Sequence, residues 1–160
     1  MELIEIPPAL AGASDDTLLA HIGDVPFEDD VAGLLLEVMR ANADLAARTG
    51  AASPWRGYIA VTGADGVIGT CGFKGPPEAG AAEIAYFTFP CFTGRGLAKA
   101  MVRRLEDFAA RGGLRLLIAH TLPYANASTS VLRASGFSHA GETVDPEDGP
   151  VWRWEKAIHP

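Results

Sequence analysis

A strand-to-helix turn decides the fold, and it reads Phe89-Pro90-Cys91-Phe92-Thr93-Gly94-Arg95-Gly96-Leu97. An apolar run over residues 84–89 predicts a strand, and Pro90 ends it because proline cannot donate a hydrogen bond to a sheet ladder. Beyond the glycines, apolar residues recur three and four positions apart, which marks one face of a helix: Leu97, Met101, Leu105 and Phe108. The chain is therefore predicted to pass from strand to helix through a glycine-rich turn.

Gly94 and Gly96 indicate what this turn could bind. Glycine lets the backbone come close to a ligand. The first amides of a helix lack partners within it and lie at the positive end of the helix dipole. Together these features predict a site for a phosphate or pyrophosphate, with a plain tight turn as the alternative. No lysine follows in the spacing of a nucleotide-binding P-loop, which counts against that class.

The length and composition suit one domain, residues 1–160, with an apolar content of 48% that is enough for a real core. The net charge of −7 and the absence of a basic stripe argue against nucleic acid and anionic membranes as partners. Cys71 and Cys91 have no metal-ligand spacing and are predicted to be free thiols. Since no signal peptide or membrane-spanning run is found, the sequence predicts a cytoplasmic protein.

The order of predicted elements indicates a mixed α/β (α+β) sheet. Three antiparallel strands come first, over residues 58–62, 67–73 and 81–89. The helix over 95–111 and an apolar run over 114–119 then complete a strand-helix-strand unit, in which the two strands are parallel. Because such an apolar run suits a strand covered on both faces, helices are expected on both faces of the sheet.

Shorter elements flank this unit. Two helices are predicted before the sheet, from Ser14 and from Asp29, where polar or acidic residues open an apolar pattern. After the unit, residues 126–128 are predicted to cap a short helix. A closing hairpin places Trp152 and Trp154 on one face.

The motifs and their order resemble the GCN5-related N-acetyltransferases, the GNAT superfamily. That family carries Gln/Arg-x-x-Gly-x-Gly/Ala between a central strand and a helix; here Gly96 and Ala98 match, and Thr93 stands where the family has Gln or Arg. Residues 126–137 resemble a second motif, an Asn and a Ser followed by an aliphatic pair and Gly-Phe. Residues 83–86 are similar to the Glu-Ile-Gly-Tyr strand of the branch that contains the ribosomal-protein N-terminal acetyltransferases.

The resemblance implies a GNAT-type mixed sheet, acetyl-coenzyme A (acetyl-CoA) as the acyl donor, and no metal. The family splays its two parallel strands so that the pantetheine arm pairs with free strand backbone, here that of Phe87, Thr88 and Phe89. Asn126 would bond the pantetheine or cap its helix. Arg95 would add charge to the pyrophosphate site or remain solvated. The backbone amides that would hold the pyrophosphate are those of Gly94, Arg95, Gly96, Leu97, Ala98 and Lys99.

Acetyl transfer to an amine requires a base, because a lysine-type amine has a pKa near ~10.4 and an α-amine one near ~7.7–8.0. Glu83 is the candidate. Strand alternation puts it on one face with Phe87 and Phe89, an unusual place for a carboxylate unless it borders a cavity. A glutamate exposed at a strand end is the alternative interpretation, and His120 is a second candidate for the base.

The departing thiolate, whose free thiol has a pKa of about 8.5, benefits from a proton or a hydrogen bond. The thioester oxygen needs a hydrogen-bond donor because negative charge develops on it. The resemblance assigns Ser128 to the thiolate, with a helix cap as its alternative role. Arg133 stands where many family members have a tyrosine acid. An amide near Thr88 would stabilise the thioester oxygen.

These inferences predict an N-acetyltransferase in which a primary amine, of a small molecule or a peptide N-terminus, attacks acetyl-CoA directly. A non-catalytic acyl-CoA-binding module of the same fold is the alternative, motivated by Thr93 and by the missing tyrosine. The protein is expected to be a monomer or a homodimer. No chemical signature in the sequence identifies the acceptor.

Overall fold

A computed structural model describes residues 1–159 of the chain. Its strands, in chain order, are β1 (Glu2–Glu5), β2 (Gly57–Thr62), β3 (Gly66–Phe73), β4 (Ala81–Thr88), β5 (Leu116–Thr121), β6 (Ser138–Asp145) and β7 (Gly149–Ala157). They form one sheet in the order β1-β2-β3-β4-β5-β7-β6. The helices are α1 (Asp15–Ile22), α2 (Ala32–Thr49), α3 (Leu97–Arg111) and α4 (Ala127–Ala134). Short 3₁₀ turns span Pro8–Leu10, Asp29–Val31 and Pro90–Phe92.

The predicted mixed α/β (α+β) sheet is confirmed. Strands β1 to β4 pair antiparallel in sequence order, β4 and β5 pair parallel across α3, and β7 and β6 complete the sheet antiparallel. Helix α2 packs against β2, and α3 packs against β3 and β4. Within residues 1–159 no helix has the length and apolar character needed to span a membrane.

Helix α3 starts two residues later than the pattern predicts. Gly94 and Gly96 both have φ of +75°, which lies outside the right-handed helical region, so regular helix begins only at Leu97. Strand β5 is also displaced, because the amide of Leu114 still donates to Ala109 and closes the helix. On β5 one face is buried and the other, which includes His120, is only half-buried.

The core lies between the helices and the sheet, and the helices contribute to it residues spaced three and four apart. In α3 these are Met101, Leu105 and Ala109, which are buried. Trp154 of β7 is also buried, and its indole N–H donates to the hydroxyl of Thr121 at 3.0 Å. The closing hairpin is thereby tied to the middle of the sheet.

Strands β4 and β5 separate halfway along their length. Their pairing runs from Ala81 opposite Leu116 to Ile84 opposite Ala119. Beyond that point β4 continues to Thr88 and the two strands no longer pair. The sheet therefore contains a wedge-shaped opening at its centre, directly before the glycine turn.

Candidate active site

The glycine turn presents unpaired amides to one side of this opening. Gly96 is the N-cap of α3, and the amide of Ala100 is the first to donate within the helix, to Gly96 at 3.1 Å. The preceding helical amides therefore have no intrahelical partner. A Cβ placed on Gly94 or Gly96 would meet nothing within 4 Å, so the space over the turn is open. An anion can approach these amides closely.

A cavity of about 480 Å³ runs from this turn to α4, and we call it the α3 cavity. It brings most of the predicted cofactor-binding residues together. Its lining from the turn and helix comprises Phe92, Thr93, Gly94, Gly96, Leu97, Ala98 and Lys99. Its lining from β4 comprises Tyr86, Phe87 and Thr88, and from α4 Ala127, Ser128, Ser130 and Val131.

The side chain of Arg95 is bonded to Asp65 and does not line the α3 cavity. Its guanidinium forms two hydrogen bonds to Asp65, at 2.9 and 3.1 Å, and it lies 5.7 Å from the ring centre of Phe92. The hydrogen bond from Arg95 holds the pKa of Asp65 below its usual value, with a second contribution from Thr62. The Arg95 side chain is therefore neither simply solvated nor free, although its backbone amide still belongs to the turn.

Successive residues of β4 direct their backbone N–H and C=O groups alternately toward β3 and toward the opening. The amide of Phe89 donates to the carbonyl of Ile68 at 3.0 Å, on the β3 side. Because hydrogen-bonded residues alternate along an antiparallel ladder, Phe87 also bonds to β3, whereas Tyr86 and Thr88 turn their amides and carbonyls toward the opening. The hydroxyl of Thr88 is buried and has no hydrogen-bond partner among the described residues.

Two of the three expected backbone contacts are therefore corrected. The carbonyl of Phe89 accepts from Phe92 at 2.9 Å, so both backbone groups of Phe89 are used within the protein, and its side chain is fully buried. The backbone of Phe87 belongs to β3, but its side chain is 45% exposed and lines the cavity. The backbone groups of Thr88 and Tyr86 face the opening. The sequence pattern missed this because the direction of each amide depends on the register with β3.

A second cavity of about 520 Å³ opens where β4 and β5 separate, and we call it the β5 cavity. It is lined by Glu83 of β4, His120 of β5 and residues of the β6–β7 hairpin. Three residues line both cavities: Tyr86, Phe87 and Ser128. The opening in the sheet is thus the place where the two cavities meet.

Glu83 lies in the β5 cavity and is held by two neighbours. Its Oε1 is 2.9 Å from Nδ1 of His120 and 2.9 Å from Nζ of Lys74. The hydrogen bonds that the described residues make to this carboxylate all go to Oε1, which leaves Oε2 available. The interpretation of Glu83 as a solvated strand end does not hold, because its side chain is only 27% exposed.

His120 lies against Glu83. Nδ1 faces a carboxylate oxygen, so that nitrogen carries the proton. Nε2 is buried and has no partner among the described residues. Burial alone would lower the pKa of Lys74, but the hydrogen bond and charge of Glu83 outweigh it and raise that pKa, so Lys74 remains a cation beside Glu83.

Asn126 caps α4, which was its alternative role. Its Oδ1 accepts the amide of Thr129 at 3.0 Å, and the Thr129 hydroxyl accepts the amide of Asn126 at 3.0 Å. Ser128 is therefore not the cap. It is half-buried and lines both cavities, which is the position that a donor to a leaving group requires.

Tyr86 is a site residue to which the sequence analysis gave no role. Its hydroxyl donates to the carbonyl of Ser128 at 3.2 Å and so ties β4 to the start of α4. Burial raises the pKa of Tyr86 to about 12, so the phenol keeps its proton at neutral pH. The tyrosine was visible in the strand motif, but nothing in the sequence placed its hydroxyl against α4.

Acidic residues of the β6–β7 hairpin also line the β5 cavity. They are Asp145 and Asp148. The amides of Asp148 and Glu147 donate to Asp145 and hold the pKa of its carboxyl below the usual value. The cavity therefore carries negative charge near Lys74, whose pKa Asp145 and Asp148 help to raise. Within residues 1–159 no three His, Cys, Asp or Glu side chains are grouped so that they could hold a metal ion.

A mixed sheet that opens beside a glycine turn, with cavities on either side of the opening, is the architecture of an acyl-CoA-dependent transferase. A family model described as the acetyltransferase (GNAT) domain matches residues 8–138, and the chain belongs to the GNAT acetyltransferase family. Its acyl donor is acetyl-CoA. None of the curated proteins compared with the sequence matches it.

Solved structures share this fold at low sequence identity. RimL, a ribosomal L7/L12 alpha-N-protein acetyltransferase solved with coenzyme A, is 19% identical at a TM-score of 0.65, over 98% of this chain and 93% of that chain. A chimera of spermidine N-acetyltransferase SpeG from Vibrio cholerae with hSSAT is 14% identical at 0.66, over 99% and 96%. The acetyltransferase yncA from Salmonella typhimurium, solved with its cofactor acetyl-CoA, is 17% identical at 0.61, over 100% and 95%.

Proposed function

We propose that this protein transfers the acetyl group of acetyl-CoA to a primary amine, of a small molecule or a peptide N-terminus, by direct attack. The observation that carries the proposal is the meeting of the two cavities at Tyr86, Phe87 and Ser128, with Glu83 close by in the β5 cavity. The α3 cavity would take the donor and the β5 cavity the amine. The reacting atoms would then meet in the opening of the sheet.

The α3 cavity fits the donor. Open space over the amides of residues 94–99 suits a pyrophosphate, and Lys99 adds a positive charge at the same end. The backbone groups of Tyr86 and Thr88 that face the opening suit the amides of a pantetheine arm, and the orphaned hydroxyl of Thr88 adds a further polar group. When bound, acetyl-CoA supplies a thioester whose carbonyl carbon accepts the amine.

In this proposal Glu83 is the base. Lys74 and His120 hold Oε1, so Oε2 takes the proton that the amine loses, directly or through a water. Fixing one oxygen with two donors keeps the carboxylate in place. The acidic rim at Asp145 and Asp148 attracts the ammonium form of the acceptor into the cavity.

During the attack, negative charge develops on the thioester oxygen and on the leaving sulfur of the donor. An amide of β4 near Thr88 stabilises the oxygen of the thioester carbonyl as it becomes negative. Ser128 donates a hydrogen bond to the departing thiolate, or passes it a proton that the hydroxyl regains from water. Tyr86 holds the backbone of Ser128 and keeps its own proton, so it fixes the start of α4 beside the opening.

The other features expected from the sequence are part of the same proposal. The chain acts as one domain, residues 1–160, in the cytoplasm, as a monomer or homodimer, without nucleic acid, membrane or metal. A non-catalytic acyl-CoA-binding module remains the competing function, since Thr93 and Arg133 depart from the family pattern.

Release of free coenzyme A thiol in the presence of a panel of primary amines tests the proposal. We expect thiol release to depend on the amine and to be matched by equal amounts of acetylated amine. The panel includes small monoamines, diamines and short peptides with a free N-terminus. Tight binding of acetyl-CoA without amine-dependent release, over the whole panel, would identify the binding module instead.

A further inference from the structure

A third cavity lies beneath α2, on the β3 and β4 side, and we call it the α2 cavity. Its volume is about 200 Å³. Lys74 is the only lining residue that is charged at neutral pH, because burial raises the pKa of the Cys71 thiol to about 12. The lining combines the apolar residues Val38, Leu45, Phe73, Ala85 and Phe87 with the polar residues Asn42, Thr70 and Tyr86.

The α2 cavity adjoins the β5 cavity. The two share Lys74, Ala85, Tyr86 and Phe87. Alternation along β4 puts the side chains of Ala85 and Phe87 on the same face as that of Glu83. An amine nitrogen at Glu83 therefore has an apolar surface beside it along β4. Residues two apart on this strand, such as Glu83 and Ala85, lie about 7 Å from each other.

Phe87 shows that this surface is uncovered in the free protein. Its ring is 45% exposed although it borders all three cavities. A large aromatic side chain at the junction of a reaction site and the α2 cavity gains by being covered, since each Å² of apolar surface removed from water stabilises by about 25 cal/mol. A donor in the α3 cavity would cover one side of Phe87, and an apolar group in the α2 cavity would gain by covering the side that borders that cavity.

We infer that the α2 cavity takes an apolar group of the acceptor, so that the preferred acceptor is a primary amine that carries a phenyl-sized apolar group close to its nitrogen. This inference rests on the proposed function and names its substrate class. An apolar cavity of about 150 Å³ is large enough to bind benzene, so the volume here is sufficient.

The charges around the cavities favour this acceptor over a polyamine. Lys74, paired with Glu83, stands at the boundary between the α2 and β5 cavities, and no Asp or Glu among the described residues lines the α2 cavity, so a second ammonium group there would find no carboxylate. Asp145 and Asp148 lie in the β5 cavity only. One ammonium group is therefore attracted to the reaction site, and the group that follows it into the α2 cavity is uncharged.

Matched amines test the inference with the intact protein and acetyl-CoA. We expect kcat/KM for phenethylamine to exceed that for ethylamine by about ten- to a hundredfold, which is the effect of burying one phenyl-sized group. Spermidine should fall below phenethylamine. Two tripeptide amides that differ only in an N-terminal Phe or Ser distinguish the source of the apolar group. A preference in the peptides as well indicates a peptide acceptor, and a preference in free amines alone indicates a small-molecule acceptor.

Val38→Phe fills the α2 cavity, because Val38 lines that cavity and not the β5 cavity. We expect the ratio of the two kcat/KM values to fall toward one. Val38→Thr keeps the shape, adds a hydroxyl and should lower the ratio severalfold, which retains the test if the larger side chain disturbs folding. Leu34→Phe is the control: Leu34 is 37% exposed one turn earlier in α2 and lines none of the three cavities.

The outcomes separate this inference from the proposed function. Equal values for ethylamine and phenethylamine, a preference for spermidine, or a ratio that neither Val38 variant changes would overturn the inference while the acetyltransferase activity stands. Acetylation of no amine at all would overturn the proposed function and the inference with it.

Discussion

Glu83→Gln is expected to lower kcat/KM at neutral pH by roughly 10²–10⁴, the usual contribution of a positioned base. The amide is nearly isosteric with the carboxylate and can still accept from Lys74 and His120, so the fold and the affinity for acetyl-CoA should persist. Steady-state kinetics with an amine from the active panel measures the loss. Calorimetric titration with coenzyme A checks that the cofactor site is intact.

The pH profile adds a second readout to this substitution. The wild-type rate should fall at low pH, because the acceptor amine is then held in its protonated form. The variant should recover in part at high pH, where the amine is already neutral and needs no base. Ser128→Ala acts on the departing thiolate and should show no such recovery. Near-normal activity of Glu83→Gln at pH 7 would show that a water or another group takes the proton.

Gly96→Asp is expected to abolish detectable binding of acetyl-CoA. The side chain would put a carboxylate beside the amides that hold the pyrophosphate, and like charges repel there. Calorimetry with coenzyme A measures the effect. Undiminished affinity in a folded variant would place the pyrophosphate elsewhere.

Backbone strain has to be separated from this electrostatic effect. Gly96 has φ of +75°, where any other residue costs roughly 1–2 kcal/mol. Gly12 has φ of +72°, has equally open space around its Cβ position and lines neither the α3 nor the β5 cavity. Gly12→Asp should therefore carry a similar strain and leave binding unchanged. Gly96→Ala, with strain and no charge, should bind with an intermediate affinity.

The parts of the fold that the sequence predicted are those that depend on local patterns. The glycine turn, the strand-helix-strand unit and the closing hairpin follow from proline, glycine and the spacing of apolar residues over short segments. The α3 cavity follows as well, because residues 93–99 are contiguous and their amides lie together at a helix N-terminus. Local order was enough to place the glycine turn and its unpaired amides.

The acceptor side of the site depends on contacts between distant segments. Lys74 reaches Glu83 across a hairpin, and His120 reaches it from the next strand in the sheet. A shift of register by one residue would turn either side chain to the opposite face. The amide of Lys74 donates to the carbonyl of Glu83 at 2.9 Å, so the two residues lie opposite each other in the hairpin. The length of the β3–β4 connection was the one signal in the sequence that could have predicted this pairing.

The roles of Phe89 and Tyr86 were missed for the same reason. Alternation alone gives the face of a side chain but not the neighbour to which each amide is bonded, so Phe89 was expected at the opening and is instead bound to Ile68 of β3. The contact from Tyr86 to the carbonyl of Ser128 links residues 42 positions apart. The α2 cavity depends on where α2 lies over the sheet, which no local pattern defines.

The central claim is that acetyl-CoA and the amine meet in one opening of the sheet and react directly. Initial-rate kinetics with both substrates varied tests it most directly, using the best amine of the panel. Direct attack requires both substrates to be bound together, so double-reciprocal lines should intersect, and the protein should gain no acetyl group when incubated with acetyl-CoA alone. Parallel lines with an acetylated protein would contradict the account, because the acetyl group would then pass through the enzyme before it reached the amine.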